Sequence, residues 1–334
     1  MNLISVIIPI HNGEDFVLSA FKNLSKQKRL EIPIEIIFVD NNSIDSSYKI
    51  ASELASKHSN VKIFKEAKQG AGAARNKGFN ESIGDLIYFY DVDDQLFDDT
   101  LYTLSKVLIE NEGYDAVFGK MLKSHKNIDE INQQDLVESQ DLIIKAKPYW
   151  GLLWFKDLSK VVGPPAFMYR RDIFIKLGKY QEELMTGQDT ALDIKLGMNY
   201  NIAMIDKFVY LYYKHFNATT AQIKKVKSRA FMQWPRIIHS HIPFYLKNKD
   251  EKEYYEILKI KMYTSIAKMI HGTQGFKQRI EIRQNLLKDI QPMELPVILK
   301  LYTQILVLIN NDFVLKFYLY YLLSFYTKKV SIKT

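Results

Sequence analysis

Four short apolar runs in the first 90 residues constrain this chain more than any other feature: Ser5–Ile10 (SVIIPI), Ile34–Val39 (IEIIFV), Val61–Phe64 (VKIF) and Leu86–Tyr90 (LIYFY). Each has strand length and is rich in β-branched or aromatic residues, and Ser5–Ile10 is apolar enough for a strand buried on both faces. Amphipathic stretches of helical period lie between them. Phe16, Val17, Ala20, Phe21 and Leu24 share one helix face, with Asn12 placed to cap that helix and Asp15 to return the bond. Tyr48, Ala51, Leu54 and Ala55 form the next face, behind Ser43 or Asp45 as its start. Strands separated by helical crossovers make an α/β fold, a mostly parallel sheet with helices on both faces.

Further along, Asp115–Gly119 and Val209–Tyr213 read as strands, and AFMYRRDIFIKLGKY after Gly163-Pro164-Pro165 reads as a strand followed by a helix. Residues 121–160 are mixed and polar, which predicts loop with short helix. From about Lys224 the pattern is helical, with Pro235, Pro243, Pro292 and Pro296 as expected breaks.

Ligands of such sheets bind beyond the carboxyl ends of the strands, so polar residues directly after each run are the first candidates. His11-Asn12 follow the first run, Asp40-Asn41-Asn42 the second, and Asp91-Val92-Asp93-Asp94 the fourth. Carboxylates this close repel one another unless a cation neutralises them. Mg²⁺ or Mn²⁺ is the hard cation that binds one or two carboxylates together with substrate phosphate. An acidic loop capping the next helix is the competing reading of the same four residues.

Charge divides the chain. Residues 221–334 hold 20 Lys and Arg against 8 Asp and Glu, a net +12, whereas the preceding 220 residues hold 26 against 30. The expectation is two parts, 1–220 and 221–334, with different partners. The apolar segment Phe313–Tyr326, followed by Lys328-Lys329, is expected to bury against a helix or a partner subunit, with an interfacial helix on a membrane as the alternative. The chain has no cysteine, which excludes disulfides and thiolate chemistry. Met1–Ile4 runs straight into the first strand, and no stretch approaches the ~20 apolar residues of a spanning helix. The expected location is therefore the cytoplasm.

The order SVIIPIHNGEDF, IEIIFVDNNSIDSS, GAGAARNKGF and GDLIYFYDVDDQLFDD resembles the family 2 glycosyltransferases of the GT-A fold, over residues 3–215. The resemblance implies a Rossmann-like half that holds a nucleotide-sugar donor, an inverting transfer to a glycan, glycolipid or glycoprotein hydroxyl, and Mn²⁺ or Mg²⁺ as cofactor. Carried over, Pro9, His11 and Asn12 line the base and ribose, with His11 standing where tyrosine is usual. Asp40 and Asn41 match the family's paired aspartates, and Asn41 would accept the uracil N–H. Arg75, after the small-residue turn Gly70–Ala74, reaches the base or diphosphate, and Asp91 and Val92 also contact the donor. Asp93, Asp94 and His215 are the implied metal ligands. Gln188-Asp189 resembles the family's Glu-Asp pair, which makes Asp189 the catalytic base. The implied acceptor is a surface glycan or a lipid-linked one, at the inner face of the cell membrane. Peripheral membrane or homo-oligomer contact falls to the C-terminal helices, and nucleic acid is not an expected partner. A nucleotidyltransferase and a non-catalytic partner subunit are the rival readings.

Overall fold

The computed structural model describes residues 3–184, 187–214, 234–247 and 251–328. The chain divides into two compact units, Met1–Ala218 and Thr219–Thr334.

Among the described residues of the first unit, nine strands form one sheet: β1 Ile4–Ile10, β2 Ile34–Asp40, β3 Val61–Lys65, β4 Leu86–Phe89, β5 Gln95–Leu96, β6 Ala116–Ser124, β7 Leu142–Ile144, β8 Phe167–Arg170 and β9 Ile202–Tyr213. Their order is β3-β2-β1-β4-β8-β6-β9-β5, with β7 on β9. The parallel character is concentrated in β3-β2-β1-β4 and in the β6–β9 pair, while β8 enters antiparallel between β4 and β6. β1, β2 and β4 are buried along almost their whole length, as their unbroken apolar runs require when both faces of a sheet are covered.

The helices are α1 Glu14–Ser25, α2 Ser47–Lys57, α3 Ala71–Glu81, α4 Thr100–Glu110, α5 Tyr149–Lys156, α6 Arg171–Lys176 and α7 Gln188–Asn199. Gly78 lets α3 lie directly on the sheet, because a Cβ there would stand 2.4 Å from Ile7 Cγ2. Trp150 and Trp154 of α5 are core residues, packed edge-on against Phe118. Two helix starts differ from the expectation. Asn12 sits in the left-handed region at φ 51° and does not cap α1, which begins after Gly13. Asp45 does accept the amide of Ser47, but α2 begins only at Ser47.

The described residues of the second unit are helical: α8 Trp234–Lys247, α9 Lys252–Gly272, α10 Phe276–Asp289, α11 Val297–Leu308, α12 Asp312–Phe317, a π turn at Tyr318–Leu322, and α13 Leu323–Tyr326. α8 continues through Pro243 instead of breaking there. Tyr254, Leu258, Met262, Ile266 and Ile270 recur at helical spacing along α9 and form the buried centre of the bundle. Among the described residues no helix is long and apolar enough to cross a membrane.

Candidate active site

Because β2, β1 and β4 are neighbours in parallel register, the loops after them emerge side by side at one edge of the sheet. The first two loops are laced together by polar side chains. Asn12 accepts the Ile44 amide at 2.9 Å, and its own amide donates to Ser43 Oγ at 3.1 Å. Gly13 N donates to Ser47 Oγ, Glu14 N to Asp45 Oδ2, and Ser46 N to Glu14 Oε2. The ring of His11 is held between the Asn41 carbonyl at 2.8 Å from Nδ1 and the Asn12 amide at 3.4 Å from Nε2. That pattern makes Nδ1 the protonated nitrogen and fixes the plane of the ring. Pro9 pairs with Val39 at the end of β1 and is partly exposed.

Asn41 is a structural tie. Its Nδ2 donates to the Glu66 and Lys68 carbonyls, each at 2.8 Å, and its Oδ1 accepts the Gly70 amide at 2.7 Å. A carboxylate could not make the two donations, which gives a physical reason for asparagine where the resemblance leads one to expect aspartate. Gly70 adopts φ 132° as the chain turns into α3, a conformation that favours glycine. Asp40, next to Asn41, is buried with Oδ1 unpartnered.

The charged part of the site faces this laced part. Arg75, in the second turn of α3, is buried and donates from Nη2 to Asp91 Oδ1 at 2.5 Å. Its guanidinium also lies 5.2 Å from the centre of the Tyr180 ring. Burial works against its charge, but Asp91, Tyr180 and Asp189 outweigh that and hold it above the usual arginine range. Arg75 Nε and Nη1 are buried and unpartnered. Val92 abuts the first loop, 3.2 Å from where a Cβ on Gly13 would stand. A turn from Asp91 to Asp94 keeps Asp91, Val92 and Asp93 partly exposed and buries Asp94. Burial, then the charges of Asp91 and Asp93, push Asp94 well above the usual carboxylate range, opposed in part by the Tyr213 amide donating to Oδ1 at 3.2 Å and by Arg75.

Asp189 stands in the first turn of α7, just after the left-handed Gly187, and accepts the Thr190 amide. Gln188 packs toward α3, with Cγ 3.5 Å from where a Cβ on Gly72 would stand, and its buried Oε1 is unpartnered. His215, Met185 and Thr186 lie outside the described residues. Among the described residues no group of three or more His, Cys, Asp or Glu could hold a metal ion by itself.

Three features escape sequence reasoning. Asn76 clamps the 180–182 loop, exchanging hydrogen bonds with the Tyr180 amide and carbonyl and donating to Glu182 Oε1. Asp193, one helical turn beyond Asp189, is buried with Oδ2 unpartnered, and burial followed by the charge of Asp189 pushes its carboxyl well above the usual range. Its signal was the i, i+4 spacing from Asp189 within a helix of mixed composition. The third is the pinning of the Gly163-Pro164-Pro165 loop by the hydroxyls of Tyr88, to the Pro165 carbonyl at 2.5 Å, and of Tyr210, to the Val162 carbonyl.

Residues 5–178 match the family model described as Glycosyl transferase family 2. The chain is 30% identical over 213 residues to the probable glycosyltransferase YdaM of Bacillus subtilis, covering 60% of this chain and 48% of that one. It is 33% identical over 124 residues to a GalNAc(5)-diNAcBac-PP-undecaprenol beta-1,3-glucosyltransferase of Campylobacter jejuni, covering 36% and 39%. The match thus spans about half or less of the length of these curated relatives. Staphylococcus aureus TarS 1-349, solved in complex with UDP, superposes with a TM-score of 0.57 at 18% identity, covering 92% of this chain and 91% of that one, a likeness of fold.

Proposed function

The chain belongs to glycosyl transferase family 2, and from that premise we propose that it transfers a sugar from a UDP-sugar to a hydroxyl of a glycan or lipid-linked acceptor, with inversion. The observation that carries this reading is the ion pair of buried Arg75 with partly exposed Asp91 at the carboxyl edge of the sheet, with Asp189 in the same electrostatic cluster. Uridine is favoured because TarS was solved with both UDP and UDP-GlcNAc. A lipid-linked acceptor is favoured by the undecaprenol-linked substrate in the Campylobacter relative's name, and work in the cytoplasm at the inner face of the membrane is part of the same proposal. Catalysis is assigned to residues 1–220, and a separate binding role to the basic helices of 221–334.

Pro9, His11 and Asn12 line the base and ribose. Asp40, with its unpartnered Oδ1, takes the uracil N–H, while Asn41 holds the loop that shapes this pocket. Arg75 offers Nε and Nη1 to the diphosphate and Asp91 fixes the plane of its guanidinium. Val92, between Asp91 and Asp93, sits against the donor. Asp189 takes the proton of the acceptor hydroxyl as that oxygen bonds to the anomeric carbon. The bond from that carbon to the β-phosphate oxygen breaks, its electron pair leaves with UDP, and the single displacement inverts the centre.

A donor set led by two carboxylates suits Mn²⁺ or Mg²⁺. Asp93 and Asp94 would hold the ion, with phosphate oxygens completing its shell and His215 a further ligand. When bound, such an ion neutralises charge building on the leaving diphosphate.

The test is Asp189→Asn. Transfer from a labelled UDP-sugar is expected to fall ~10³-fold while donor affinity stays unchanged. The wild-type product is UDP, not pyrophosphate. Normal turnover in the variant would remove Asp189 from the reaction.

A further inference from the structure

The two units expose apolar residues in different ways. In the first unit the exposed ones are scattered over separate elements, such as Leu18, Ile44, Ile83 and Val137. In the second they are concentrated on two neighbouring helical segments. α11 buries Leu299, Thr303, Leu306 and Val307 on its inner side. At 100° per residue its opposite side carries Val297, Ile298, Leu301, Ile305, Leu308 and Ile309, all exposed, Val297 at 73%. A helix that is apolar all round ordinarily lies inside a core or against lipid.

The segment from α12 to α13 repeats the pattern. Val314, Tyr318 and Leu323 face inward, while Phe313, Phe317, Tyr320, Tyr321 and Phe325 face out, Phe313 at 77% and Phe325 at 82%. The segments are adjacent, with the Tyr302 ring of α11 stacked on Phe317 at 5.8 Å and Phe317 stacked on Tyr321 at 5.5 Å. The two stripes therefore make one face, far larger than the single exposed apolar residues normal on a soluble surface.

Charge decides what covers this face. Lys300, Lys316 and Lys328 are exposed on or next to the same segments, with Lys328 beside Glu256 of α9. Between Leu295 and Lys328 the sole acidic residue is Asp312, which pairs with His271 Nε2 at 3.0 Å. A second copy of the chain would set these lysines against like charge. An anionic lipid surface complements them and accepts the aromatic rings at its head-group level. We infer that the outer side of α11 through α13 docks in the plane of an anionic membrane, apolar rings inserted and lysines among the head groups. The segments lie on the surface, since none is long enough to span it. This goes beyond the transfer reaction and does not depend on it.

The experiment is flotation of the full chain with vesicles of phosphatidylcholine alone and of phosphatidylcholine with phosphatidylglycerol. The chain is expected to float with the anionic vesicles at low salt, and high salt should weaken the association. Combined Lys300→Gln, Lys316→Gln and Lys328→Gln should weaken binding about a hundredfold without changing the thermal midpoint. Combined Leu301→Ser, Leu308→Ser and Phe313→Ser should abolish binding even at low salt. No flotation of wild type with anionic vesicles would overturn the inference. So would undiminished flotation of the lysine variant, or a lipid-free dimer that the serine variant dissociates, which would make a second copy the occupant.

Discussion

Glu35 and Asp193 are both buried carboxylates of the first unit, and their surroundings are opposite. Glu35 lies near the start of β2, at the amino edge of the sheet. Its Oε1 accepts from Ser5 Oγ at 2.6 Å and from the amides of Ile83 at 2.7 Å and Gly84 at 3.2 Å, and Lys62 Nζ reaches Oε2 at 2.9 Å. Burial works against its charge, yet these bonds hold it below the usual carboxylate range. Asp193 belongs to the cluster at the carboxyl edge, where Oδ2 has no partner and its carboxyl is pushed up. Asp40 Oδ1, Gln188 Oε1 and two nitrogens of Arg75 are also unpartnered at this edge. Buried polar groups in a finished scaffold are satisfied, so a cluster that is not satisfied marks where a ligand completes the structure. On the function proposed above, one edge of the sheet serves stability and the other serves binding.

The largest expected effect tests the binding edge. Arg75→Leu leaves Asp91 and Asp189 without the buried cation they share. Loss of one partner of a buried pair costs about 3–5 kcal/mol, here divided between folding and ligand. Donor affinity by calorimetry should fall about a hundredfold. Unchanged affinity would mean that the unpartnered edge does not serve the donor.

Glu35→Ala probes the scaffold edge, because it leaves the donors of Ser5, Lys62, Ile83 and Gly84 without this acceptor. Unfolding followed by tryptophan fluorescence should show a loss of about 3 kcal/mol, with kcat at low temperature unchanged. A depressed carboxylate contributes stability above its unfolded pKa and loses it as pH falls through the folded value. The wild-type advantage should therefore disappear on the acid side of the ordinary carboxylate range. An advantage that persists in strong acid would show that Glu35 acts by packing alone.

The sequence made the parallel half of the sheet legible because β1, β2 and β4 are buried on both faces and so read as unbroken apolar runs. Asp40, Arg75, Asp91 and Asp189 could be picked out as candidates because each lies just after a strand or near the start of a helix, where side chains are held at an edge. What remained hidden depends on long-range geometry. The reversal of β8 between β4 and β6, the clamp from Asn76 to residues 180–182, and the tyrosine hydroxyls on the Gly163 loop join residues about a hundred or tens of positions apart. Local pattern carries no trace of such pairings. Asn41 is the instructive middle case, since its position after a strand was visible but its use as a tie between loops was not.

Asn41→Asp sharpens that point with a smaller effect. The change is isosteric, but it sets carboxylate oxygen against the Glu66 and Lys68 carbonyls and removes two donations. Two lost hydrogen bonds and the added repulsion should cost about 2 kcal/mol in denaturant unfolding, although the variant looks closer to its family. A variant as stable as wild type would show that the loop can do without the tie.

The smallest effect is the most discriminating, because it carries the opposite sign. Asp193 keeps its proton to higher pH when folded than when unfolded. Wild-type stability must then decline as pH rises from the unfolded carboxylate pKa toward the raised folded one. An asparagine side chain is a permanent mimic of the protonated acid, so Asp193→Asn should be flat across that window and more stable than wild type at neutral pH by about 1 kcal/mol. The two should coincide in acid, below the unfolded value. A substitution that removes a carboxyl and gains stability is what an unpartnered group predicts, whereas Glu35→Ala must lose it. If Asp193→Asn were instead destabilised at neutral pH, Asp193 would be ionised and paired like Glu35, and the contrast between the two edges would fail.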